Sequence, residues 1–179
     1  MKEPKLYIEQ PERALGGFLT DDAYAEAIKS FIIVCTDFVA IDRKRGVFYL
    51  AKRIVHCTKG IWLFGGRQKA GETTRGSCIR LAKRELGLSL SPARFEYVTM
   101  AEELWSWRKL EPHDAGCHTL SYIFCIELSK EEIAFAATHL DPEEYEITFG
   151  IQEFDRTRIV AETVYPRLID LYDSIFMSA

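Results

Sequence analysis

The residues best placed to do chemistry lie between Gly66 and Leu88. Glu72 sits in a polar loop after the pair Gly65 and Gly66, and Arg80, Arg84 and Glu85 follow on a stretch with helical periodicity. Carboxylates suit a hard cation or a proton transfer, and guanidinium groups suit phosphate oxygens, which they bind in a bidentate way. The charge pattern agrees. Residues 43–84 hold 12 Lys or Arg against one acid, Glu72, whereas the rest of the chain holds 11 basic and 26 acidic residues. A basic segment in a chain of net charge −4 fits an anionic ligand held at one place, not a surface that coats nucleic acid. Arg53, at the end of a strand, and Arg67, just after the glycines, can both reach a pocket at that loop, where an anionic ligand would meet them. Four histidines, His56, His113, His118 and His139, are available as proton carriers near neutral pH.

The elements that must position these groups are legible in outline. Residues 31–41 read as a strand, 42–46 as a turn and 47–53 as the returning strand of a hairpin. Residues 60–66 read as one short apolar strand running into a glycine stop. A helix is expected over 74–86, with Ile79, Ala82 and Leu86 on one face and Gly87 closing it. Asp21 and Asp22 open a short helix over 23–30. Further strands are expected at 95–100 and 118–128, a helix from a capping box at Ser129 to Ala137, and an extended stretch over 146–154. A long amphipathic helix over 156–176, interrupted by Pro166, ends the series. Residues 1–17 read as an arm and 18–179 as one α+β domain with mixed strand order.

Composition sets the outer bounds. With 179 residues, 47% hydrophobic and 12% aromatic, the chain builds a real core. No apolar run nears the roughly 20 residues that span a bilayer, and the first ten residues lack a signal peptide's apolar segment. Five cysteines without a CxxC pair fit reduced thiols in a cytoplasm and argue against structural zinc.

The unit running from Gly66 through Glu72 and Arg80 to Glu85, Gly87 and Leu88 resembles the Nudix box: a glycine, five residues, a glutamate, seven residues, then an arginine-glutamate helix ending in glycine and an aliphatic residue. Two of the box's three helix glutamates are replaced, by Leu81 and Arg84. In this it looks like the GDP-mannose mannosyl hydrolase branch, which keeps only the last glutamate; the likeness extends over about residues 18–128. The resemblance implies a Nudix fold, a mixed sheet sandwiched between helices, with a C-terminal helix. It implies a hydrolase of a nucleoside-diphosphate sugar that cleaves the glycosidic C–O bond with one Mg²⁺ or Mn²⁺ held by Glu85 and the Gly65 carbonyl. It further implies that Arg53, Arg67 and Arg80 contact or organise the diphosphate, that Asp37 aids substrate binding, and that a late-loop histidine is the base. His139 is nearest in position, His118 ranks second, and Glu143, Glu144 and Glu146 offer a carboxylate in its place. For Arg80 a structural pair with Glu72, fixing the loop, is the competing role. Two other functions stay open: a conventional pyrophosphohydrolase of a nucleoside diphosphate derivative, and a Nudix-fold binding or regulatory protein without catalysis. A homodimer is likewise left open.

Overall fold

The structure, a computed structural model, describes residues 2–8, 19–163 and 165–177. Most of the expected arm, residues 9–17, lies outside the described residues.

The centre is strand β1 (Ile33–Asp42), apolar on both faces: Phe38 and Ala40 enter one core, Val39 and Ile41 the other. Such a strand must be covered on both sides. β2 (Val47–Arg53) returns antiparallel in the register Ala40↔Tyr49 and Asp42↔Val47, which is the expected hairpin. The apolar stretch at 60–66 is two strands where one was expected. β3 (Gly60–Trp62) pairs with β2 and β4 (Phe64–Arg67) pairs with the first half of β1, while Leu63 between them is fully buried. β5 (Glu96–Trp105) is antiparallel to β6 (Cys117–Glu127), and β6 runs parallel to β1. β7 (Ile151–Phe154) adds to β2, so the order is β3-β2-β1-β6-β5 with β4 on β1 and β7 on β2.

Helix α1 (Asp21–Ser30) starts two residues earlier than expected because Thr20 caps it. Helix α2 (Thr74–Leu86) matches expectation at both ends. The Thr73 hydroxyl accepts the Gly76 N–H at 3.0 Å, and Gly87 turns left-handed at φ +69°. A Cβ at Gly87 would also lie 2.8 Å from the His139 ring. Helix α3 (Lys130–Ala137) begins in the expected capping box at Ser129. The final amphipathic stretch forms two helices, α4 (Arg156–Glu162) and α5 (Pro166–Phe176): Pro166 cannot continue a helix but suits the first turn of a new one.

Leu81, Leu86 and Ala136 from α2 and α3 pack on one face of the sheet; Ile159, Leu168 and Leu171 from α4 and α5 pack on the other. The α+β sandwich expected from the sequence is therefore the fold observed. Among the described residues no helix is long and apolar enough to cross a membrane.

Candidate functional site

The site grows from the place where β4 leaves β1 and the chain turns toward α2. Gly65 faces Asp37 in the antiparallel register. At φ +149° a Cβ here would fall 2.6 Å from both the Asp37 Cα and the Thr36 carbonyl, so only glycine lets the strands meet. The loop that follows is locked by its own charges. Arg80 reaches back from α2 to hold Glu72 at 2.5 and 2.8 Å and the Arg67 carbonyl at 3.0 Å, while the Lys69 N–H donates to Glu72 at 3.0 Å. Arg80 holds the Glu72 carboxyl below the usual carboxylate range. A lowered acid pKa stabilises the fold above the unfolded value, near 4.3, and the gain is lost as pH falls through the folded value. Glu72→Gln should therefore cost about 1–3 kcal/mol at pH 7, and the gap to the parent protein should shrink on acidification, as denaturant unfolding across that pH range would show.

Glu85 is 1% exposed at the end of α2. One of its oxygens accepts the Gly65 N–H at 3.1 Å and the Tyr145 hydroxyl; the other accepts Arg84. Burial raises its pKa, against the pull of Arg84 and Arg53. The same Arg84 nitrogen lies 3.4 Å from the Gly65 carbonyl. Leu81, the other replaced box position, is wholly buried in the core.

A cavity of about 590 Å³ opens beside this unit. Arg67, Arg84, Arg53, Lys109, Arg108 and Arg167 line it, with Asp37, Glu103 and Glu144 among its acids. Most of these cations are engaged. Arg53 is held by Glu144 at 2.7 Å and Thr58 at 2.9 Å, with its Nε buried and without a hydrogen-bond partner. Lys109 shares Glu144 at 3.0 Å, and the two cations keep that carboxyl below its usual range against the opposing effect of burial. Arg167, from α5, joins Asp37 at 2.7 Å and Glu103, its Nε also buried and unpaired. Arg108 is 1% exposed and donates to the carbonyls of Ala25, Leu110, Glu111 and Pro112. Arg67 lies over the Tyr24 ring at 4.1 Å and has no carboxylate partner among the described residues. Trp62 and Trp105 form an aromatic wall, with rings 6.0 Å apart, and His56 stacks on Trp107 at 5.7 Å. The thiols of Cys57 and Cys117 touch at 2.9 Å on the same lining.

The structure thus brings together Asp37, Arg53, Gly65 and Arg67 from the sequence reading, with Glu85 just beneath them. It does not bring Arg80 to the cavity, because that side chain is spent on Glu72 and the loop. Nor does it bring His139: the ring caps α3, with Nδ1 2.9 Å from the Phe135 carbonyl and its face on Phe135, and it packs against Gly87. His118 faces away too, bonded to Glu102 at 2.9 Å. The histidine on the lining is His56. Of the late-loop acids, Glu144 reaches the cavity, whereas Glu146 pairs with Lys52. Sequence reasoning missed Arg167, Glu103 and Tyr145. Arg167 had a faint signal, as a charge at the first turn of a helix restarted by proline.

The resemblance implies a divalent ion held by these donors. Glu85 and the Gly65 carbonyl lie close enough for one Arg84 nitrogen to contact both of them. The remaining Glu85 oxygen is filled by two donors, and no group of three or more His, Cys, Asp or Glu able to hold a metal exists among the described residues. Mg²⁺ and Mn²⁺ want oxygen ligands and near-octahedral space. This arrangement does not fit them.

No protein-family model matches the chain, and no curated protein matches it. Solved structures do. A MutT NUDIX hydrolase from Burkholderia pseudomallei superposes with a TM-score of 0.56 at 15% identity, over 82% of this chain and 97% of that one. The E. coli dihydroneopterin triphosphate pyrophosphohydrolase gives 0.57 at 12% identity, over 82% and 96%. The C. elegans Ap4A hydrolase gives 0.51 at 10%, over 83% and 100%. Likeness at such identities is likeness of fold. The mixed sheet between two helical layers is the fold of these Nudix hydrolases, and the chain has the Nudix fold.

Proposed function

We propose that the protein is a hydrolase of a nucleoside-diphosphate sugar and that it breaks the glycosidic C–O bond. The observation that carries this reading is the make-up of the cavity: guanidinium groups at the box loop, an aromatic wall beyond them, and a single buried carboxylate on the helix. Attack on a P–O–P bridge in the usual Nudix way benefits from several metal ions around phosphorus. Departure of a diphosphate from an anomeric carbon asks for less, namely charge neutralisation on the leaving group and a base for water.

In this scheme Arg67 and Arg84 bind the diphosphate, with Arg53 behind them fixing the late loop. Trp105, half-buried on the lining, offers a surface for a base or sugar ring, whereas Trp62 is buried behind it with Arg167 over its face. His56 takes a proton from water as the water oxygen bonds to the anomeric carbon, the C–O bond breaks, and the nucleoside diphosphate leaves with the bond's electron pair. Asp37, Glu103 and Glu144 are each held by cations, whereas the His56 imidazole is stacked on Trp107 at the lining, and the proton is assigned to it.

Hydrolysis in ¹⁸O-labelled water tests the reading. Label is expected in the released sugar. Label in a nucleoside monophosphate or sugar phosphate would place the break at P–O and favour a pyrophosphohydrolase, the reading that sharing a fold with a named pyrophosphohydrolase supports. Absence of turnover across a panel of sugar nucleotides would leave the cavity a binding site alone.

A further inference from the structure

We infer that Arg84 is the resident cation of this site, and that a nucleoside diphosphate binds the cavity without a divalent ion. The inference rests on the reading of the cavity as a diphosphate site. Three observations support it. Arg84 bridges the Glu85 carboxylate and the Gly65 carbonyl, the pair of oxygens that would otherwise face a metal. Glu85 is buried with both oxygens engaged, so moving Arg84 away would strand a carboxylate from which water is excluded. The Arg84 side chain is nonetheless 45% exposed on the cavity lining, and its Nε and Nη1 have no hydrogen-bond partner among the described residues.

The charges explain why one cation excludes the other. A guanidinium cannot shed its proton in a protein, so Glu85 is already neutralised. A divalent ion placed there would meet Arg84 and Arg53 at short range, with like charges repelling in a low-dielectric setting. Anchored at one edge, the planar Arg84 fork presents its free edge to an incoming diphosphate, a pairing that favours bidentate geometry. What looks like a damaged metal site is, on this account, a site with a covalently attached cation.

Calorimetry with ADP, GDP, UDP and CDP, each in excess EDTA and in excess Mg²⁺, reads the first half. The tightest binder should show dissociation constants within about threefold of each other in the two buffers, and Arg84→Gln should weaken it about 10–100-fold in EDTA. Manganese titration followed by electron paramagnetic resonance, with no nucleotide present, reads the second half. The parent protein should bind no Mn²⁺, Arg84→Ala should bind one, and the double variant Arg84→Ala/Glu85→Gln should lose it. Nucleotide binding that requires Mg²⁺, or Mn²⁺ bound to the parent protein and lost in Glu85→Gln, overturns the inference. If none of the four diphosphates binds in either buffer, the functional reading fails, and the manganese series alone decides which cation Glu85 holds.

Discussion

Arg167→Met should destabilise the fold by about 3–5 kcal/mol, the usual cost of stripping one partner from a buried ion pair. The side chains of Arg167, Asp37 and Glu103 are only 12%, 10% and 14% exposed. Removing the guanidinium leaves two carboxylates facing each other inside the cavity, with Thr119 and Ser121 at 3.2 and 3.3 Å as the remaining donors to Glu103. In a chain of this length each kcal/mol shifts the melting temperature by roughly 2–4 °C, so calorimetry should find a fall on the order of 10 °C. The triple variant Asp37→Asn/Glu103→Gln/Arg167→Met should regain much of the loss, because the stranded charges go with the cation. A single variant that melts like the parent would show that the three groups are hydrated and that the cavity wall does not depend on them.

His56→Gln should lower kcat by about 10²–10⁴-fold, the range that general-base catalysis contributes. Glutamine keeps a polar group of similar reach but cannot accept a proton near neutral pH. Binding of the diphosphate product should change little, since Arg67 and Arg84 lie elsewhere on the lining. A parallel His139→Gln variant should keep its kcat, because that ring is packed on Phe135 and Gly87. The reverse pattern would return the proton transfer to the late loop.

Local signals carried the sequence reading far. The helix at 74–86 was legible because its polar cap, apolar stripe and closing glycine agree with one another, and the hairpin at 42–46 because a polar turn separates two β-rich runs. Long-range pairings were not legible. Arg167 meets Asp37 across 130 residues of chain, and nothing in either neighbourhood marks that contact. In the sequence, position 84 is a missing carboxylate; that an arginine there gains a cation for Glu85 becomes visible only when the Gly65 carbonyl is seen beside it. His139 illustrates the opposite failure. Its place in the late loop resembles that of a base, yet a ring at a helix end often serves to finish the helix, and here the Phe135 carbonyl claims it.

Arg108 bears on how a ligand reaches the site. Its charge is buried on the cavity wall and answered by four carbonyl dipoles, with no carboxylate among its partners in the described residues. Dipoles can satisfy the N–H groups of a guanidinium without cancelling its charge. The uncancelled field emerges where the wall is open, and low-dielectric sides focus it along the mouth. Arg108 touches solvent too little to clasp a phosphate firmly, so under the proposed function its effect would fall on the approach, drawing an anionic ligand inward before contact. Recruitment speed and residence time would then be separated, with a hidden charge governing the first and the exposed arginines the second, and dissolved salt would weaken the two to different degrees.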